Sequence, residues 1–204
     1  DGHKDVVQLL LDHSASNMEL NAKDGYGWTA FTVACCHGRK GDVKVLLDNS
    51  ERIEFNTKCR IFNMTALMWA CNGGHKDVVQ LLLDHSDGIE LNARGNGEIT
   101  AFMVACINGH KDVVKLLLDH SDRIELNART DSGWTAFMTA CYNGRKDVIQ
   151  LFLNNSNKIE LNARSTTGKT AFMVACQFGG KDAVKLLLEH QDVVDINIPE
   201  NVQL

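Results

Sequence analysis

A pattern of about 35 residues recurs along the chain and restricts the folds that it can adopt. Each copy begins with threonine, alanine and an apolar residue, and successive threonines are 36 residues apart once and 35 residues apart three times. The five threonines are Thr29, Thr65, Thr100, Thr135 and Thr170. Self-similarity at a period between roughly 20 and 50 residues is typical of solenoids and related arrays.

The chain begins within a copy of this pattern. The segment DGHKDVVQLLLDHS at residues 1–14 matches GHKDVVQLLLDHS from Gly74. We therefore expect a segment of a longer array, forming a single domain over residues 1–204. Its predicted divisions are a partial repeat at 1–23, repeats at 24–58, 59–94, 95–129 and 130–164, and a last repeat with a tail at 165–204.

The copy that starts at Thr100 shows what one repeat forms. Thr100 is a good helix N-cap, and Gly109 suits the left-handed residue that often ends a helix. A second helix follows in KDVVKLLLDH, with an apolar stripe. The segment SDRIELNAR then turns extended. Such short helices are unstable alone, so neighbouring repeats must stack to bury the stripe, which consists of Val113, Val114, Leu117 and Leu118.

The pattern T-A-F-M-V-A-C-x-x-G-H-K-D-V-V-K-L-L-L resembles the ankyrin repeat, which starts T-P-L-H-x-A-A-x-x-G-H and has V-V-x-L-L-L in its second helix. The resemblance covers nearly all of residues 1–197. It implies an all-α, L-shaped solenoid of antiparallel helix pairs, with β-hairpin-like turns, here called fingers, projecting from it. It also implies a non-enzymatic module that binds proteins.

Several positions depart from the family pattern. Alanine replaces the proline that follows threonine, and the usual threonine–histidine hydrogen bond is not expected because histidine is also replaced. About two further residues follow each second helix, which predicts a longer loop there. The residues at the histidine position are Thr32, Met68, Met103, Met138 and Met173, and we expect the methionines to pack between helices.

Composition excludes some classes of function. The net charge of −5 argues against a general nucleic-acid-binding protein. No apolar run approaches the roughly 18 residues of a membrane span. We therefore expect neither a membrane nor a nucleic acid as the partner.

The cysteines and histidines do not form a recognisable metal or catalytic motif. Neither a CxxC pair nor HExxH occurs, and Cys36 and His37 are adjacent, so they would not face each other on a helix. Five cysteines share one position where the family has a small buried alanine, which predicts packing: Cys35, Cys71, Cys106, Cys141 and Cys176. Cys36 and Cys59 lie outside this pattern, and we expect them to be exposed. We expect no cofactor, no metal, and an intracellular, cytoplasmic location that keeps thiols reduced.

Residues that vary between repeats are the candidates for recognition, because those that recur are used by the fold. The family resemblance places partner contacts at the fingers, at the residue before each threonine and late in the first helix. Large aromatic residues at such places are typical of interface hot spots. The predicted partner-binding residues are Trp28, Trp69, Ile99, Ile107, Trp134, Tyr142 and Phe178. The tryptophans are equally open to a structural interpretation, in which each packs along its own finger or helix.

Other hypotheses remain. One basic residue per finger would suit phosphates, but an acidic residue four positions earlier favours a solvated surface instead: the pairs are Glu19 and Lys23, Glu54 and Lys58, Glu90 and Arg94, Glu125 and Arg129, and Glu160 and Arg164. The array could instead be an architectural spacer. Binding of nucleotides is a further and less favoured hypothesis.

The second helix of the partial first repeat has no partner helix from its own repeat. One side of it is therefore left open, which predicts weak self-association through the array ends at Val6, Val7, Leu10 and Leu11.

Overall fold

The computed structural model describes residues 3–13 and 19–197 of the chain. They belong to two compact units, Asp1–Asn96 and Gly97–Leu204. Within the described ranges the regular structure is entirely helical, without a strand. The prediction of an all-α fold built from helix pairs is therefore confirmed.

The described residues of the first unit form five α-helices. The helices are α1 Lys4–His13, α2 Ala30–Cys36, α3 Lys40–Leu47, α4 Ala66–Asn72 and α5 Lys76–Asp84. Helix α2 pairs with α3 and α4 pairs with α5, while α4 stacks on α2 and α5 stacks on α3. Helix α1 packs against α3. Two 3-10 turns, Ser50–Arg52 and Ser86–Gly88, follow α3 and α5.

The second unit repeats this arrangement. Its helices are α6 Ala101–Asn108, α7 Lys111–Asp119, α8 Ala136–Tyr142, α9 Lys146–Leu153, α10 Ala171–Val174 and α11 Gly180–Leu188. Helix α8 packs against α6 on one side and α10 on the other, and α9 lies in the same way between α7 and α11. A 3-10 turn spans Asn96–Glu98, and a π-helical turn, Ala175–Gly179, continues α10.

The repeated threonines cap the first helix of each pair, as predicted. Each has extended backbone angles, and its side-chain oxygen accepts a hydrogen bond from the backbone N–H three residues later. These N–H groups would otherwise lack a partner at a helix start. Donor–acceptor distances lie between 3.2 and 3.4 Å at Thr29, Thr65, Thr100, Thr135 and Thr170.

A left-handed glycine ends the first helix, again as predicted. Gly109 has φ 78° and ψ 24°. The last repeat differs, because its π-helical turn leaves Gly179 at φ −77° and moves the positive φ to Gly180, at 77°. A Cβ on Gly179 would collide with the Cys141 carbonyl oxygen, so glycine permits a close backbone approach there.

The core consists of the predicted apolar stripes and the methionine position. Val113, Val114 and Leu117 are fully buried, and Leu118 is nearly so. Met68, Met103, Met138 and Met173 are likewise buried, which supports the interpretation of this position as packing.

The cysteines follow the packing prediction at four of five positions. Cys35, Cys71, Cys106 and Cys141 are buried, and burial raises the pKa of the Cys35, Cys71 and Cys141 thiols far above the ordinary value. Cys176 is exposed, so its predicted burial was wrong; it lies in the π-helical turn, where the regular helical register is lost.

The prediction of exposure for the two remaining cysteines was largely wrong. Cys59 is 2% exposed, and its N–H bonds the Met64 carbonyl at the base of the second finger. Cys36 is half-buried. All seven thiols are free.

Helix α1 keeps an exposed apolar side, although not on every predicted residue. Val6 and Leu10 are exposed, whereas Val7 is half-buried and Leu11 is buried against the unit. Leu9, which was not among the predicted residues, is 56% exposed. The exposed side is thus centred one residue away from the expected stripe.

Candidate functional site

Each finger is a tight hairpin-like turn before the threonine. In the first finger the Asp24 N–H donates to the Trp28 carbonyl at 3.0 Å, and the Gly27 N–H donates back to Asp24 at 2.9 Å. The residue two places before the threonine always has a positive φ, between 55° and 84°, and this position is held by Gly27, Asn63, Glu98, Gly133 and Gly168. The predicted hairpin-like shape is therefore present without strands.

Main-chain hydrogen bonds join neighbouring fingers within each unit. The Arg60 N–H donates to the Tyr26 carbonyl at 2.9 Å, and the Asn96 N–H donates to the Phe62 carbonyl at 3.2 Å. In the second unit the Thr166 N–H donates to the Ser132 carbonyl at 3.0 Å. These bonds hold the finger tips at a fixed spacing.

A ladder of asparagines, which the sequence reasoning missed, ties the finger bases together. The Asn127 amide donates to the Lys158 carbonyl at 3.0 Å and accepts from the Glu160 N–H at 2.9 Å. Asn21, Asn56 and Asn162 make the same two bonds to the following repeat. The signal was the asparagine that recurs in the segment ELN or EFN of each repeat.

In the first unit, two of the predicted tryptophans meet in one cluster, which we call the first aromatic cluster: Trp28, Phe62 and Trp69. The ring centroids of Trp28 and Trp69 are 4.7 Å apart, and those of Phe62 and Trp69 are 6.0 Å apart in an edge-on arrangement. The indole N–H of Trp69 is buried and has no hydrogen-bond acceptor among the described residues.

The tips of the first two fingers continue this surface with exposed apolar side chains. Tyr26 is 63% exposed, and Ile61 and Phe62 are more than half exposed. The sequence reasoning did not select these three residues. The sequence signal for Ile61 and Phe62 was the spacing of 36 residues between Thr29 and Thr65, because the additional residue lies in the second finger.

In the second unit, three predicted residues form the second aromatic cluster: Trp134, Tyr142 and Phe178. Centroid distances are 5.4 Å between Trp134 and Tyr142 and 5.0 Å between Tyr142 and Phe178. The Lys169 ammonium lies 5.9 Å from the Phe178 centroid and also bonds the Gln177 side chain. Tyr142 and Phe178 are 43% and 51% exposed, so their rings remain open to a partner.

The two predicted isoleucines are less prominent. Ile99 and Ile107 are half-buried in the second unit. The Ile107 carbonyl accepts a hydrogen bond of 2.8 Å from the Arg145 guanidinium. Their contact with a partner stays a prediction.

The charged residues of the fingers pair with one another across repeats. Lys23 lies 3.8 Å from Glu54, and Arg129 lies 3.0 Å from Glu160. Arg164 lies 4.0 Å from Asp195, whose pKa is lowered mainly by hydrogen bonds from Asn197. These exposed pairs support the interpretation as a solvated surface over that of a phosphate site.

The histidine rings bond backbone carbonyls. His85, His120 and His190 each bond the carbonyl four residues earlier near the end of a second helix. His75 bonds the Cys36 carbonyl of the preceding repeat at 2.8 Å. Within the described residues, no group of three or more His, Cys, Asp or Glu side chains could hold a metal ion. In that same part of the chain, no helix is long and apolar enough to cross a membrane.

Comparison with known families agrees with the repeats seen in the structure. The family model for ankyrin repeats matches the chain three times, over residues 1–59, 51–130 and 122–200. No curated protein matches the chain.

Proposed function

Because the chain belongs to the ankyrin repeat family, whose arrays are generally protein–protein interaction modules, we propose that it binds a protein or peptide through its fingers and first helices. The proposed contact residues are those of the two aromatic clusters, one in each unit, together with Ile99 and Ile107 of the second unit. The proposal assigns no reaction to the chain. It also places the protein in a reducing, intracellular compartment, which the seven free thiols support.

The observation that carries this proposal is the exposure of stacked aromatic rings at positions where the repeats differ. Tyr142 and Phe178 are held against each other and yet remain about half exposed. Aromatic residues lose little side-chain entropy on binding and dominate interface hot spots. Their mutual packing restricts them further before a partner arrives, which lowers the entropic cost of docking.

The test compares capture of partners by the wild-type chain and by the double variant Y142A/F178A. Both side chains are partly exposed and lie at the end of the first helices, so we expect the variant to fold. The matched control is L188A, which removes a side chain of similar exposure from the second helix α11. We expect a partner that is retained by wild type and L188A and lost by Y142A/F178A.

An architectural spacer makes the opposite prediction. A spacer needs no dedicated contact residue, so wild type, Y142A/F178A and L188A would capture the same proteins. Binding of nucleotides or phosphates would be distinguished by salt, because phosphate contacts weaken steeply as salt concentration rises. We expect only a shallow salt dependence, since aromatic contacts dominate the proposed surface.

A second proposal concerns weak self-association through α1. Val6, Leu9 and Leu10 form an exposed apolar side on this helix. We expect sedimentation to show a weak, concentration-dependent dimer that the variant L9K/L10K removes. A chain that stays monomeric at millimolar concentration would contradict this proposal and leave the aromatic surface unaffected.

A further inference from the structure

A groove of about 800 Å3 lies in the first unit, away from the first aromatic cluster. It is formed where α3 and α5 end and where the loops after them begin. Leu47, Ile53 and Phe55 supply its apolar walls, and Gly88 borders it. None of the residues that line it belongs to the first aromatic cluster.

The second unit shows what can occupy this space. There the Lys158 ammonium reaches back to the preceding repeat and donates to the Leu118 carbonyl, at 3.4 Å, near the end of α7. Counted from the threonine of each repeat, Gly88 stands where Lys158 does, and Leu47 stands where Leu118 does. Both Gly88 and Leu47 line the groove. The groove therefore corresponds to the place that a lysine of the chain itself fills in the second unit.

A third junction agrees with this comparison. In the last repeat the same position holds Val193, which has no ammonium group to donate to a carbonyl oxygen. A groove of about 320 Å3 remains there, lined in part by Leu161 and Val193. Open grooves thus lie at the two junctions where glycine and valine hold this position, and the groove beside glycine is the larger.

Phe55 adapts the groove of the first unit for an alkyl chain. The other repeats have leucine at this position, except the last, which has Ile196, and Phe55 packs on Phe31 with a centroid distance of 4.9 Å. A Cβ on Gly88 would lie 3.3 Å from the Phe55 ring, which is tighter than an ordinary contact. Glycine therefore leaves space beside the Phe55 ring, against which the methylene stem of a lysine would pack.

The charges around the groove favour a cation. Its lining includes Glu51, Glu54, Asp84 and Asp87. At the junction that Lys158 fills, asparagines stand in place of the last two, as Asn154 and Asn157. The open groove thus carries more carboxylates than the filled one. The C-terminal ends of α3 and α5 add negative potential from their backbone dipoles.

The basic residues of the lining are already engaged. Lys23 pairs with Glu54 at 3.8 Å, and the His85 ring bonds the Leu81 carbonyl. In the described part of the chain, the exposed carboxylates of Glu51 and Asp87 form no ion pair. They therefore remain open to an incoming ammonium group.

We propose that this groove binds a lysine side chain of a partner polypeptide, in the place that Lys158 takes in the second unit. The ammonium group donates to the Leu47 carbonyl and pairs with Glu51 and Asp87, while the stem lies along Phe55. This basic-peptide site is separate from the aromatic surface under Proposed function. Its failure would leave that proposal intact.

The test is a titration of the 15N-labelled full chain with the acetylated and amidated peptide Ala-Lys-Ala-Lys-Ala, followed by amide chemical shifts. The control peptide carries norleucine in place of lysine, which keeps the alkyl stem and removes the ammonium group. We expect saturable shifts in residues 47–57 and 84–88 with the lysine peptide and none with the norleucine peptide.

Two variants test the occupant directly. G88K restores the chain's own lysine, and we expect it to abolish the shifts. Q191K adds the same charge at an exposed position of the second unit, and we expect it to bind the peptide as wild type does. The double variant E51Q/D87N leaves the backbone and Phe55 unchanged, and we expect about a three- to tenfold weaker affinity, as is typical of the loss of two partly exposed ion pairs.

The proposal is wrong if G88K, with a native-like spectrum, binds as tightly as wild type. Equal loss in Q191K would show that net charge alone governs binding. Shifts from the norleucine peptide of the same size, or shifts spread over all acidic surfaces, would also overturn it. If G88K does not fold, an unchanged affinity in E51Q/D87N is sufficient to reject the site.

Discussion

Trp28 and Trp69 come from consecutive repeats, and their ring centroids lie 4.7 Å apart with the planes tilted by 45°. One tryptophan precedes the threonine of its repeat, and the other lies on the first helix of the next. Positions proposed for recognition in two repeats are thereby joined by one aromatic contact. The contact supports the structural interpretation of the two tryptophans, and their contact with a partner stays a prediction.

Trp69→Val tests the structural role of the contact between Trp28 and Trp69. Valine occupies the same position in other repeats, as Val33, Val104 and Val174, so the helix tolerates it. We expect the free energy of unfolding to fall by about 0.5–1.5 kcal/mol from the lost aromatic pair, beyond the effect of lost buried area. Urea denaturation measures this cost. Trp69→Phe is the control, because it keeps a stacked ring, and an equal loss in both variants would contradict a specific role for the pair.

Asp42 provides a prediction of increased stability. It is 4% exposed, and its Oδ1 atom has no hydrogen-bond partner among the described residues. The other repeats have Val78, Val113, Val148 and Ala183 at this position. A buried carboxylate is costly, although the start of α3 partly offsets the cost through its dipole.

We therefore expect Asp42→Val to raise the free energy of unfolding by about 1–3 kcal/mol, measured by urea denaturation at neutral pH. Asp77→Val, one residue after the start of α5 and exposed, is the control and should give no such gain. A destabilised Asp42→Val variant would show that the carboxylate has a partner in solution that outweighs its burial.

Alanine substitutions at two finger glycines distinguish the cost of a left-handed backbone from the cost of a steric collision. Gly133 and Gly168 have φ values of 72° and 79°. A Cβ on Gly133 would lie 2.8 Å from the Thr166 backbone nitrogen, whereas a Cβ on Gly168 meets nothing within 4 Å. We expect Gly168→Ala to cost about 1 kcal/mol from the left-handed conformation alone. Gly133→Ala should cost clearly more, because the next finger must move, and equal costs in denaturation would contradict the observed finger spacing.

Thiol labelling distinguishes the cysteines by their burial. Cys176 is exposed and Cys36 is half-buried, whereas the other five are buried. We expect two thiols to react with an aromatic disulfide reagent in the native protein and five only after unfolding. Partial burial raises the pKa of the Cys36 and Cys176 thiols, so little thiolate is present at neutral pH. The labelling rate should therefore rise as the pH is increased from 7 to 9, and fast labelling of Cys106 would contradict the fold.

The repeat period predicted the helix pairs, the threonine caps and the ending glycine because these depend on local backbone chemistry. Cys176 shows the limit of that reasoning. Its position in the repeat is that of four buried cysteines, but the glycine pair after it permits a π-helical turn that changes the register. A position within a repeat therefore predicts burial only while the backbone keeps the same path.

The aromatic clusters were predictable in part, because their members occupy variable positions of the family pattern. Their pairing was not, since it depends on the distance between fingers. The groove beside Gly88 was also not predicted. Its interpretation depends on the contact between Lys158 and Leu118, which joins two repeats and is not visible in the sequence. Both depend on relations between repeats, which no single repeat contains.

The hydrogen bonds between neighbouring fingers use main-chain atoms, as in the bond from the Arg60 N–H to the Tyr26 carbonyl. Most side chains at the tips can therefore be exchanged without weakening the stack beneath them. Under the proposed function, the tips would change the binding specificity of such a protein while its architecture stays the same. The tips are therefore the natural place to vary the sequence of the chain by design.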